Sequence, residues 1–164
     1  MKNKLVSGII IAVVVIGGIV FLQRSSIDNK VLAGIFSTDI TGLVEAKTSE
    51  TVELKNGDSY DLVASIVKKK IGNSEVKMFA YNGMIPGPTI KAPQGAEITV
   101  NFTNKTDVDT TIHSHGVRLS NKFDGVPDMT QKEIRPGESF TYKIKFPDTG
   151  IYWYHPHIRE DYAQ

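Results

Sequence analysis

At 164 residues the chain is long enough for one ordinary domain with an appendage. With 40% hydrophobic and 23% charged residues, its composition is that of a folded chain and excludes a disordered one. A formal net charge of +1 gives no electrostatic reason to expect a nucleic acid, and the absence of cysteine excludes disulfides, thiolate metal sites and a cysteine nucleophile.

Residues 5–22, LVSGIIIAVVVIGGIVFL, carry no charge. As a helix they span about 27 Å, close to the hydrocarbon thickness of a bilayer. Lys2 and Lys4 precede the run and Arg24 follows it, so with the α-amino group the positive charge is heavier in front. That bias predicts the N-terminus inside and the remainder outside. A cleaved signal peptide competes, with Val31, Leu32 and Ala33 as a passable cleavage site, but the run is long for a signal. We therefore expect a membrane anchor in residues 1–23, with the domain periplasmic or at the cell surface; secretion after cleavage is the alternative. Residues 24–50 mix polar and short apolar groups and read as a tether.

Residues 51–164 change character. Short alternating runs (YDLVASIVKKKI, EVKMFAY, AEITVNFTN, TTIHSHGVRL, SFTYKIKF, GIYWYH) are broken by Gly, Pro, Asn and Asp. Ile98, Val100 and Phe102 share one face of their run, as do Phe140, Tyr142, Ile144 and Phe146 of theirs. A period of two means half-buried strands. Ile71-Gly72-Asn73-Ser74 fits a hairpin turn, and Pro86-Gly87-Pro88 and Arg135-Pro136-Gly137-Glu138 stop any helix. Lys68, Lys69 and Lys70 read as the solvated end of a strand. The predicted class is all-β. Two sequons begin at Asn101 and Asn104, relevant only to a host that glycosylates exported proteins.

The four histidines come as two pairs, His113 with His115 and His155 with His157. Side chains two apart on a strand point the same way, roughly 7 Å apart. Two such strands side by side deliver four imidazoles to one place, and imidazole suits both copper and zinc. A lone histidine on a strand is ordinarily a surface or packing residue. Two pairs that use every histidine in the chain are not ordinary. A zinc hydrolase needs one imidazole fewer, and a cupin-type site needs an acid close behind the first pair, where the first is Asp124. Spacing favours copper and leaves zinc open. Trp153 and Tyr154 read as core and ligand-supporting packing, with Tyr154 opposite His155. Pro156 implies that the strand ends or lies at an edge there.

The segments YNGMIPGPTIKAPQGAEITVNFTN, TTIHSHGVRLSNKFDGVPDMTQ and IRPGESFTYKIKFPDTGIYWYHPHIRED resemble the N-terminal, plastocyanin-like cupredoxin domain of multicopper oxidases, the family of laccases, ascorbate oxidases and bacterial cuprous oxidases. The likeness covers residues 59–161. It implies a Greek-key β-sandwich and a copper cluster that reduces dioxygen to water. By resemblance, His113 binds a type 2 copper, His115 and His155 share one type 3 copper, and His157 binds the other. Asp124 matches an acidic residue that helps move protons. The family cluster takes twice the histidines present here, and its blue type 1 copper needs a cysteine. A C-terminal cupredoxin domain or chain is therefore implied as partner, and no oxidase activity is expected of this chain alone. The resemblance also implies that the domain is incomplete at Gln164, in a truncated reading frame or a split protein. A non-catalytic extracytoplasmic copper buffer or carrier is the alternative, and a zinc enzyme is a weaker one.

Overall fold

The computed structural model describes residues 38–158. The apolar run at residues 5–22, expected to anchor the chain in a membrane, lies outside the described residues. Among those described, no helix is long and apolar enough to cross a membrane. In chain order the elements are β1 (Thr51–Glu53), β2 (Ser59–Ile71), β3 (Ser74–Tyr81), β4 (Thr89–Lys91), β5 (Glu97–Lys105) and β6 (His113–His115). After them come one turn of 3-10 helix (Asn121–Phe123), β7 (Ser139–Lys145) and β8 (Trp153–His155). The described chain is all-β apart from that turn.

The main sheet has the order β3-β2-β5-β7. Strand β2 serves two neighbours. Its first half lies parallel to β5, with Leu62 beside Phe102, and its second half forms the antiparallel hairpin with β3 that closes at Ile71 and Ser74. The alternation in the sequence is what drives this sheet. Leu62 and Ala64 of β2, Ile98, Val100 and Phe102 of β5, and Tyr142 and Ile144 of β7 are all buried in one cluster with Ile112 and Ile134. Removing a side chain as large as that of Phe102 from water contributes about 2 to 3 kcal/mol. The polar residues between them (Asn101, Thr141, Lys143 and Lys145) face outward.

Part of the segment expected to act as a tether is hydrogen-bonded to the sheet. Ala46 donates its N–H to the Lys68 carbonyl at 2.7 Å, Lys68 returns one to Val44 at 2.9 Å, and Lys47 donates to Gly83 at 2.7 Å. The two bonds to Lys68 lie on the edge of β2 opposite β3, beyond Ser65 where the pairing with β5 ends.

The connection from β5 to β6 turns on Asn104, which is fully buried. Its amide nitrogen donates to the carbonyls of Val108 and Ile134, both at 2.8 Å. Its amide oxygen accepts from the Thr106 N–H at 2.9 Å and the Thr106 hydroxyl at 2.7 Å. A buried amide with every hydrogen-bonding site used is a strong local constraint, because each bond left unmade costs about 1 to 3 kcal/mol. It also removes Asn104 as a glycan acceptor in the folded domain, leaving Asn101 as the exposed sequon. Beyond it, Thr110 and Ile134 exchange backbone hydrogen bonds of 3.1 and 2.8 Å, which deliver the chain into β6.

Candidate metal centre

Strands β6 and β8 pair antiparallel as a separate two-stranded sheet, with His113 opposite His155, Ser114 opposite Tyr154 and His115 opposite Trp153. One face thus carries His113, His115, Trp153 and His155, and the other carries Ser114 and Tyr154. The second face is tied inward: Ser114 is buried, the Tyr154 ring lies 5.2 Å from Tyr81, and the Tyr154 hydroxyl donates to the Pro88 carbonyl at 2.7 Å. Gly87 gives that hydroxyl its room, since a Cβ there would stand 2.9 Å from it. As the sequence suggests, β8 stops at His155, before Pro156.

All four imidazoles gather. The His113 ring centroid lies 5.4 Å from that of His115, 5.4 Å from His155 and 5.2 Å from His157. His155 and His157 stand 6.0 Å apart. One ring nitrogen from each of His113, His115 and His155 falls within 4.8 Å of the others. His115 Nδ1 and His155 Nε2 lie 3.4 Å apart.

Hydrogen bonding fixes which nitrogens point inward. His113 Nδ1 lies 2.6 Å from the Asp124 carbonyl oxygen, and His155 Nδ1 lies 2.8 Å from that of Pro156. A carbonyl oxygen only accepts, so both Nδ1 atoms carry the proton and both Nε2 atoms present a lone pair. Backbone carbonyls commonly orient metal-binding imidazoles in this way. Burial, reinforced by the three neighbouring imidazoles, holds His155 below its ordinary value of 6.5, against the opposing bond to Pro156. It is neutral at pH 7, the form that binds metal.

The donor set fits a late transition metal. Two nitrogens each bound at about 2.0 to 2.1 Å to one ion at a tetrahedral angle lie about 3.4 Å apart. His115 and His155 show that separation. With nitrogen donors and no thiolate, this chemistry suits copper or zinc.

One supporting feature was read only in part from the sequence, and two escaped it. Trp153 was expected as core and ligand-supporting packing; it is 58% exposed and so not core, but it stacks on His155 at 4.1 Å and on His115 at 4.8 Å, covering the imidazoles from outside. Its position two residues before His155 was the available signal. Gly125, with φ of 77°, lies so close to the Ile112 carbonyl that any Cβ would overlap it. That approach brings the Asp124 carbonyl onto His113, and the Asp-Gly pair was its only trace in the sequence. Arg118 and Asp148 form a bidentate ion pair of 2.7 and 2.9 Å that links the loop after β6 to the loop before β8. Asp124, expected near the cluster, is there: its carboxylate lies 3.4 Å from His113 Nδ1.

Comparison with known proteins converges on one family. The multicopper oxidase family model matches residues 63–164, well over half the chain. The Multicopper oxidase MmcO of Mycobacterium tuberculosis is 43% identical over 88 residues, covering 54% of this chain and 17% of that protein. Copper resistance protein A of Pseudomonas syringae pv. tomato is 33% identical over 112 residues, covering 68% of this chain and 18% of that protein. The chain therefore spans less than a fifth of these relatives. Among solved structures, a multi-copper oxidase from Pseudomonas thermotolerans matches at TM-score 0.60 and 38% identity, covering 65% of this chain and 26% of that one. A Blue Copper Oxidase from Nitrosomonas europaea matches at the same TM-score and identity, covering 65% and 34%. The fold is cupredoxin-like, and the chain belongs to the multicopper oxidase family.

Proposed function

We propose that this chain supplies His113, His115, His155 and His157 as half the ligand set of a type 2/type 3 copper cluster that reduces dioxygen to water. The observation that carries this reading is the gathering of four imidazoles, with His115 and His155 nitrogens at the spacing of two ligands on one ion. His113 serves the type 2 position, His115 and His155 share a type 3 position, and His157 serves the other. Copper held by these rings would relay to dioxygen the electrons that a reducing substrate delivers through the C-terminal domain. The protein's own part is to aim the rings, to favour the neutral form of His155, and to handle protons. Asp124 suits the latter, because its carboxylate is partly exposed and lies beside His113. The remaining ligands come from a C-terminal cupredoxin domain or chain, to which the exposed His115 is accessible. Residues 5–22 anchor the assembly, with the domain outside the cytoplasm.

Metal analysis and oxygen uptake test this reading together. Purified chain loaded with equal copper and zinc should retain copper, and with a phenolic reductant it should consume oxygen only at background. Preferential retention of zinc contradicts the copper assignment. Sustained oxygen reduction by this chain alone contradicts the half-cluster assignment.

A further inference from the structure

We propose that Tyr142 is a positioning residue for His113, acting through the hydrogen bond its hydroxyl accepts from the Ile112 N–H. Tyr142 lies in the middle of β7, 1% exposed, with Phe140 at 4.7 Å and Phe102 at 6.5 Å between ring centroids. Phenylalanine would fill this apolar space equally well. A hydroxyl buried at such depth is costly unless bonded, so its presence calls for a partner. The Ile112 N–H, at 3.0 Å, is one partner, and the Gln131 side chain is a second.

Ile112 immediately precedes β6 and its backbone is gripped at both ends. The N–H is held by Tyr142, and the carbonyl is packed against Gly125. The next residue, His113, has its ring held by the Asp124 carbonyl. The main sheet thus holds the backbone next to His113 through the Tyr142 hydroxyl, and His113 is the ring closest to all the others. Burial pushes the Tyr142 phenol up to about 12, so the group stays neutral wherever the protein works. Loss of the hydroxyl leaves a buried N–H unpaired and frees the backbone that sets the His113 ring.

The inference rests on His113 being a metal ligand, but its primary readout needs no metal. Nitrogen-15 NMR of metal-free full chain reports the tautomer of each imidazole. In Tyr142→Phe the Nδ1-protonated form of His113 should give way to exchange between tautomers, while His155, held by Pro156, stays unchanged. Copper(I) affinity, measured by chelator competition, should fall about 10-fold. Phe140→Leu, which trims the same strand without touching Ile112, should change neither. If Tyr142→Phe lowers the melting temperature yet leaves the His113 tautomer as in Phe140→Leu, Tyr142 is only core and the proposal is overturned. Failure of the unsubstituted chain to bind copper overturns the cluster reading alone, since the tautomer comparison stands. Should Tyr142→Phe fail to fold, amide exchange in the unsubstituted chain decides. Ile112 is expected to be as protected as Phe102 in β5, and exchange at the rate of an open loop refutes the bond.

Discussion

Gly125→Ala should cost on the order of 3 kcal/mol or more and disorder the first histidine pair. Two effects add. A non-glycine residue at φ of 77° is strained, and the new Cβ would overlap the Ile112 carbonyl while standing 3.0 Å from the His113 nitrogen. Backbone cannot rotate away as a side-chain tip does, so the loop carrying Asp124 must move. Movement withdraws the carbonyl that fixes His113. Gly137→Ala separates the two effects, because Gly137 has φ of 85° but nothing within 4 Å of a Cβ. Thermal unfolding should show Gly125→Ala lower by about 10 °C or more and Gly137→Ala lower by only a few degrees. Equal shifts would mean that the close approach at Ile112 is not made in solution.

His155→Ala carries the largest expected effect on metal binding. It removes one nitrogen of the 3.4 Å pair and the surface on which Trp153 stacks, while the cavity left is partly open to water. Copper(I) affinity should fall about 100-fold or more, beyond what loss of a mere supporting group does. The pH dependence follows from the same residue. Burial and neighbouring imidazoles depress His155 in the folded state, so below its ordinary 6.5 the unfolded chain takes up a proton that the folded chain resists. The contribution of neutral His155 to stability is complete above 6.5 and is lost as pH falls from there through the folded value. Copper should therefore be released on acidification, and metal-free protein should lose stability in the same direction. His155→Ala should flatten part of that slope in thermal unfolding measured across pH.

The sheet was legible in the sequence wherever one face is buried and the other wet. Strands β5 and β7 alternate cleanly because Ile98, Val100 and Phe102 lie beside Tyr142 and Ile144 on the one face of the sheet that is buried. Strands β1 and β4 escaped notice because three residues cannot display a period. The same is true of the bridging residues 44–47. The four ligand candidates stood out by spacing, but the register that sets His113 opposite His155 did not, since it joins segments distant in the chain. Trp153 was read rightly as supporting the ligands but wrongly as core, because large aromatics are ordinarily buried; here the strand face it shares with His155 turns it toward the cluster. The roles of Tyr142, Gly125 and the Asp124 carbonyl depend on contacts between distant segments, which no local pattern encodes.

The most direct test follows the imidazole nitrogens of all four histidines by NMR while the full chain is titrated with copper(I), which is diamagnetic and leaves the signals visible. If the rings hold the metal jointly, His113, His115, His155 and His157 should all shift and saturate together. Copper bound with only the exposed His115 responding, and the other three rings unchanged, would contradict the account.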